Sequence, residues 1–336
     1  MKKYIIISTV IVAIVAMMIL NNCKSILVRE LLGPRAGVND LYTIDGRLIA
    51  VSRGNDVYSW DWADMSSWPQ AGKIAADIVT PIAGERLLCV PPGLADTLVI
   101  TNMKGDKELK SLSLPWGRTC QFLVSSANGR YAAAALIKDK VTELVLVETN
   151  PVAIRETVSI PAGVELCNIA VSNDGKLITA VGSGEGGGFV LVADSQDKKI
   201  LWQQTITECK KFCNIVFSPD GTTVFAGEEL RFIYAFGSLA GRLIRKFEIP
   251  KYPIPSNKRQ VITAIDISPD GLLITANTEP AGTLFIWNTE TGQKRAEFGL
   301  PGPVIGDIVF SPDSNMIASG ASVRSTISIW KIPAPK

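Results

Sequence analysis

This sequence predicts an all-β repeat fold, a ring of seven four-stranded blades, on three observations. The first is a turn. Phe217-Ser218-Pro219-Asp220-Gly221 recurs as Ile267-Ser268-Pro269-Asp270-Gly271 and as Phe310-Ser311-Pro312-Asp313-Ser314. Ser suits the first position of a type I turn, Pro presets φ at the second and Gly suits the last. Each copy lies between apolar runs and reads as a hairpin between two half-buried strands. The second is a period. Equivalent turn residues fall at Gly46, Gly84, Gly129, Gly175, Gly221, Gly271 and Ser314, spaced by 38, 45, 46, 46, 50 and 43 residues. Units of about 44 residues hold four strands each, the spacing of a β-propeller. The third is the composition of the runs from Ile26 onward: short, rich in Val, Ile, Leu, Tyr and Phe, and punctuated by Gly, Asn, Asp and Pro.

Taken in order, the chain opens on Met1-Lys2-Lys3 and a 17-residue apolar run, Tyr4 to Leu20. That length is short for a membrane-spanning helix and long for a signal-peptide core. Residues 1–22 are read as a signal-anchor or signal helix, with 23–25 as a linker. Leu20-Asn21-Asn22-Cys23 resembles a bacterial lipobox, so an uncleaved anchor, a lipoprotein and a cleaved signal all stand as readings. The lysines favour a cytoplasmic N-terminus, which puts the remainder in the periplasm or on the cell surface as a single-pass membrane protein. The propeller is expected over 26–332, with a short tail at 333–336. The last unit has only three strands, about Val304–Phe310, Asn315–Ala321 and Ser325–Ile332. Ile26–Leu32 has strand composition and is expected to supply its fourth strand, closing the ring.

The best internal match aligns Cys167-Asn168-Ile169-Ala170-Val171-Ser172-Asn173-Asp174-Gly175 with Cys213-Asn214-Ile215-Val216-Phe217-Ser218-Pro219-Asp220-Gly221. The Ser-Pro-Asp-Gly hairpins, with Ile286-Trp287-Asn288 and Ile329-Trp330-Lys331 ending a later strand, resemble bacterial WD40-like β-propeller repeats. Trp60-Asp61 ends the same strand in the first unit. The resemblance is specific in units five to seven and spans Ile26 to Ile332. It implies a non-enzymatic interaction scaffold that binds a protein or peptide. The chain contains no histidine, so the His–Ser/Thr–Trp–Asp network of well-conforming repeats cannot form, and the blades must rest on apolar packing and turn chemistry.

The absent histidine also excludes Ser-His-Asp and Cys-His catalysis and His-ligated zinc or haem. The net charge of +2, from 34 basic and 32 acidic residues, gives no support for a nucleic-acid partner. No catalytic, cofactor-binding or metal residue is assigned, and no cofactor or small-molecule substrate is expected. The alternative is a quinoprotein-like propeller, either a redox enzyme or an envelope-assembly lipoprotein. The stretch Val192-Ala193-Asp194 to Trp202 resembles that family's repeat once, with Lys198 in place of the usual Gly.

The turn aspartates (Asp45, Asp174, Asp220, Asp270, Asp313) are read as caps of their own turns. Gly182–Gly188 has neither a Lys-Ser/Thr ending nor a following helix, and reads as a flexible loop between strands Leu177–Val181 and Phe189–Ala193. The six cysteines are Cys23, Cys89, Cys120, Cys167, Cys209 and Cys213. Cys120, Cys167 and Cys213 occupy nearly the same place in the first strand of units three to five, so a ring of thiols at the channel is considered. The other reading of these thiols is small buried hydrophobes, and a local Cys209–Cys213 disulfide is a separate expectation. Trp287 and Trp330 are placed in the core, whereas alternation leaves some of Trp60, Trp62 and Trp68 exposed. One face of a propeller carries the connections between units, and here those connections are basic. Trp116, Arg118, Lys210, Lys211, Tyr252, Lys258 and Arg259 are the candidate partner-binding residues.

Overall fold

The computed structural model describes residues 27–334 apart from 33–35, 55, 67–68, 115–117, 252–258, 281, 300–304 and 322–325. The helix, lipobox and Cys23 expected before Ile26 lie outside the described residues, as do Trp68 and Ile26 itself. Among the described residues no helix is long and apolar enough to cross a membrane.

The described chain forms seven antiparallel four-stranded sheets. Before the first blade comes β1 (Leu27–Leu32). Blade 1 is β2 (Val38–Ile44), β3 (Arg47–Ser52), β4 (Asp56–Asp61) and β5 (Gln70–Lys73). Blade 2 is β6 (Ile78–Ile82), β7 (Arg86–Val90), β8 (Thr97–Asn102) and β9 (Glu108–Ser113). Blade 3 is β10 (Thr119–Ser125), β11 (Tyr131–Lys138), β12 (Val141–Thr149) and β13 (Val152–Ser159). Blade 4 is β14 (Glu165–Val171), β15 (Leu177–Gly184), β16 (Gly187–Asp194) and β17 (Lys199–Ile206). Blade 5 is β18 (Phe212–Phe217), β19 (Thr223–Glu228), β20 (Phe232–Gly237) and β21 (Leu243–Glu248). Blade 6 is β22 (Val261–Ile267), β23 (Leu273–Glu279), β24 (Thr283–Asn288) and β25 (Lys294–Gly299). Blade 7 is β26 (Ile305–Phe310), β27 (Met316–Ala321) and β28 (Thr326–Lys331), completed by β1 in the order β1-β28-β27-β26. Leu31 of β1 pairs with Ile327, and Leu27 with Trp330. The closure expected of Ile26–Leu32 is therefore present over Leu27–Leu32.

All seven expected turn positions adopt left-handed φ, from Gly46 at 74° to Ser314 at 60°. In the Ser218 turn, Gly221 N donates to Ser218 O at 2.8 Å. The serine is a second clasp that the turn type alone does not reveal. Ser218 Oγ accepts from Thr223 N at 2.9 Å and donates to Asp220 Oδ1 at 2.5 Å. The same clasp is built on Ser172, Ser268 and Ser311. Asp174, Asp220, Asp270 and Asp313 thus cap their own turns; Asp45 instead accepts from Gly84 N of the next blade at 2.7 Å.

The core is divided among blade boundaries. Among the described residues, buried side chains form seven clusters, each drawn from two neighbouring blades. The second strand of each blade is consequently buried on both faces, as in β15 and β23, where six successive residues are buried. The half-buried alternation expected there does not hold, because every blade is covered on both sides. Among the outer strands β9 stays largely exposed and β17 half-buried. Trp287 and Trp330 are buried as expected, but so are Trp60 and Trp62. Trp62 follows β4 and folds inward, its N bonded to Gly46 O at 3.1 Å and its Nε1 to Thr43 Oγ1 at 3.2 Å. Part of the polar network expected to be absent survives in blade 7, where Trp330 Nε1 donates to the Ser319 hydroxyl at 2.8 Å.

The glycine-rich stretch is strand, not loop. β15 and β16 continue through it, leaving only Glu185 and Gly186 between them. A Cβ on Gly182 would lie 1.9 Å from Glu165 O, and one on Gly188 2.6 Å from Cys209 Sγ. These glycines let the central strands of blade 4 pass against the inner strand's start and the next connection.

Candidate functional site

Each blade shows one face of the ring its first hairpin turn and the opposite face its second hairpin and the connection to the next blade. The connection face therefore collects two sets of loops per blade. Over blade 5 the described parts of these loops are Thr207–Lys211, Glu229–Arg231, Ile249–Lys251 and Arg259–Gln260. They enclose a cleft of about 590 Å³. Its apolar lining is Leu230, Phe232 and Ile249, and its charged lining is Lys210, Lys211, Arg231, Lys251 and Arg259 against Glu208, Glu228 and Glu229.

The carboxylates of the cleft are engaged. Lys246 Nζ donates to Glu208 Oε2 at 2.7 Å, which holds that carboxyl below its usual range. Glu229 faces Lys211 at 4.0 Å. Glu228 accepts from Phe232 N at 2.9 Å, and burial raises its pKa. Arg231 is paired with Glu248 and lies 5.1 Å over the Phe232 ring. Lys210, Lys251 and Arg259 are exposed and make no ion pair among the described residues. Among the described residues the cleft thus presents three cations without an ion-pair partner beside an apolar wall.

Of the candidate partner-binding residues, the structure brings Lys210, Lys211 and Arg259 together here. Trp116, Tyr252 and Lys258 lie outside the described residues. Arg118 sits apart, just before β10, in a two-bonded pair with Glu143 whose Nη2–Oε1 arm is 2.7 Å. Leu230, Arg231 and Phe232 were not singled out from the sequence, because only connections between units were considered. The signal was available: the second hairpin of a blade emerges on the same face, and Glu228-Glu229-Leu230-Arg231 interrupts two apolar runs.

The opposite mouth of the channel forms a second cavity of about 470 Å³, lined by inner strands. Carboxylates of the inner strands are structural ties, and of these Asp266 lines the cavity. Asp266 Oδ2 accepts from Phe310 N of blade 7 at 2.8 Å, and Asp307 Oδ2 accepts from Leu41 N of blade 1 at 2.9 Å. Burial raises the pKa of Asp266 to about 7; burial and the nearby Asp40 raise that of Asp307 to about 8.

The expected thiol ring is reduced to a pair. Cys167 and Cys213 lie close enough to act on each other across the boundary of blades 4 and 5, where Asn168 Nδ2 reaches Cys213 O at 3.5 Å. Cys120 precedes the corresponding irregularity in its strand and bonds Phe122 O at 3.3 Å instead. Cys209 and Cys213 are not bridged; all five described cysteines are free. Cys209 packs inward with Phe212, its Sγ 3.2 Å from Lys211 O, while Cys213 points to blade 4.

Residues 296–331 match the profile described as WD domain, G-beta repeat. That segment runs from the outer strand of blade 6 through β28, a single repeat in phase with the blades. No curated protein matches the chain. Among solved structures, the chain is similar to the β-propeller domain of Cps50 (Swd1) from Myceliophteria thermophila, at TM-score 0.68 and 16% identity, over 91% of this chain and 99% of that one. At that identity the likeness concerns the fold. The seven blades do not favour the quinoprotein-like alternative, whose propellers are typically eight-bladed.

Proposed function

We propose that this propeller is a non-enzymatic interaction scaffold that holds an acidic segment of a partner protein in the cleft over blade 5. The observation that carries the reading is the charge imbalance of the cleft. Its carboxylates have internal partners, whereas Lys210, Lys251 and Arg259 have no ion-pair partner among the described residues. An acidic chain crossing Leu230 and Phe232 would pair with those cations and bury exposed apolar surface, the combination that gives both rate and register to an interface. The apolar run Tyr4–Leu20 supports a membrane tether with the propeller outside the cytoplasm.

The test is binding of polyglutamate and of an acidic peptide array to the full chain. Lys251→Ala with Arg259→Ala is expected to weaken binding roughly tenfold at low salt, since each rim pair contributes about 0.5–1 kcal/mol. The thermal midpoint should not move. Absence of binding, or binding indifferent to the double variant, overturns the reading.

A further inference from the structure

Cys167 and Cys213 share a local geometry that other blades use differently. The inner strands β14 and β18 each carry a register shift, between Leu166 and Asn168 and between Phe212 and Asn214, so each cysteine is the extra residue of a bulge. The corresponding shifts in blades 1 and 6 leave Asn39 and Thr263 there. An extra residue has no ladder partner, and its side chain can leave the alternation of the strand. On adjacent blades 4 and 5 the two freed side chains are thiols, and they meet. Asn168 Nδ2 reaches Cys213 O at 3.5 Å, which ties the two strands beside the sulfurs. Both cysteines are half-buried, within reach of small molecules, and Lys211 lies close enough to act on both. Among the described residues no third thiol or carboxylate completes a metal-binding group. The chemistry left to the pair is that of sulfur with sulfur.

We infer that Cys167 and Cys213 form a thiol–disulfide exchange site whose oxidant is a low-molecular-weight disulfide, with Cys167 attacking and Cys213 resolving. The division of roles follows the protons. The neighbouring Cys213 thiol and the Lys211 charge lower the Cys167 pKa to about 7, against burial and the nearby Glu165 and Glu229, and Cys167 in turn pushes that of Cys213 well up. At neutral pH Cys167 is therefore about half thiolate, while Cys213 keeps its proton. The thiolate attacks one sulfur of the external disulfide; a Cys167–sulfur bond forms, the external bond breaks, and the leaving thiolate takes a proton from water. Cys213 then loses its proton to water and attacks Cys167 Sγ, and the second external thiolate departs and is protonated. The chain loses two electrons and two protons, and the external disulfide is reduced to two thiols. The product is a covalent staple between the inner strands of blades 4 and 5, beside the wall that Lys211 shares with the cleft. The remaining described cysteines are poor competitors: burial raises Cys120 and Cys209 to about 12 and Cys89 to about 11.

The full chain is incubated with glutathione and glutathione disulfide at set ratios, quenched with acid, alkylated and mapped by peptide mass. The expected product is a Cys167–Cys213 disulfide, with Cys89, Cys120 and Cys209 alkylated only after denaturation. In Cys213→Ser the resolving step is absent, so Cys167 should accumulate as its glutathione mixed disulfide. Iodoacetamide labelling of the unmodified chain needs no variant. Cys167 should react roughly tenfold faster than Cys209 at neutral pH, with a rate midpoint near its lowered pKa, and Lys211→Gln should move that midpoint upward. The inference is overturned if Cys167 labels no faster than Cys209, or if oxidation yields another pairing.

Discussion

At the residue scale, the recurring Ser-Pro-Asp-Gly turn is a small hydrogen-bonded unit whose members do different work. The serine hydroxyl closes the turn from inside; it is buried at Ser268 and bonded to Leu273 N and Asp270 Oδ1. The aspartate caps from outside. The last position needs left-handed φ, which glycine supplies without steric cost and other residues do not. Non-glycine residues pay that cost where the chain departs from its own pattern: Ser314 at φ 60°, and Lys198 at φ 54° in the turn between β16 and β17. Lys198 is exposed. Lys198→Gly should therefore stabilise the fold, by up to about 1 kcal/mol, read as a rise in the urea midpoint at unchanged slope. Ser314 is a less clean test, because its hydroxyl also accepts from Asp270 N at 3.2 Å.

At the element scale, the decisive strand is β1. It is the outer strand of blade 7 although it lies at the start of the described chain. Leu31 is buried in the cluster shared by blades 7 and 1, and Leu27 packs against the cluster around Trp330. Without β1, the backbone edge of β28 and the buried Ile327 and Ile329 would face water. Removing residues 1–32 should lower the thermal midpoint far more than removing 1–22, and Leu31→Ala alone should cost about 2–3 kcal/mol. Equal midpoints for the two truncations would contradict closure by β1. The unit pattern made this strand legible, since three strands in the last unit demanded a fourth. The glycine-rich stretch was not legible in the same way. Glycine ordinarily weakens a strand, and only the closeness of Glu165 O and Cys209 Sγ explains why strand persists through Gly182–Gly188.

At the scale of the whole molecule, stability is distributed over seven boundaries, and the inner strands add polar ties between blades 6, 7 and 1. Asp266 and Asp307 hold protons more tightly in the folded protein than a free aspartate, whose pKa is about 3.9. Their contribution is complete below about pH 4 and is lost as pH rises through about 7 for Asp266 and about 8 for Asp307. Asp313 has the opposite sign: hydrogen bonds, led by that from Ser311, hold its pKa down, so its contribution is lost as pH falls. The Asp266→Asn, Asp307→Asn double variant should flatten the decline of the thermal midpoint between roughly pH 5 and pH 8. A slope identical to the parent protein would show that the two carboxyls do not titrate there.

The sequence by itself determined the repeat: seven turns, their left-handed positions, the four-strand count and the need for a closing strand. These features are local or periodic, and turn chemistry and strand composition express them without reference to neighbours. Only the tertiary structure decided what happens between units. It buried the second strands on both faces, turned Trp62 inward and engaged Arg118 with Glu143. It joined Lys210 and Lys211 to Arg259 across the second hairpin of blade 5. It brought Cys167 against Cys213 and left Cys120 aside, because one extra residue in an inner strand redirects a side chain and no local pattern marks where that residue falls. Contacts between blades join positions far apart in the chain, such as Asn168 with Cys213, 45 residues on, and depend on the register of both strands at once.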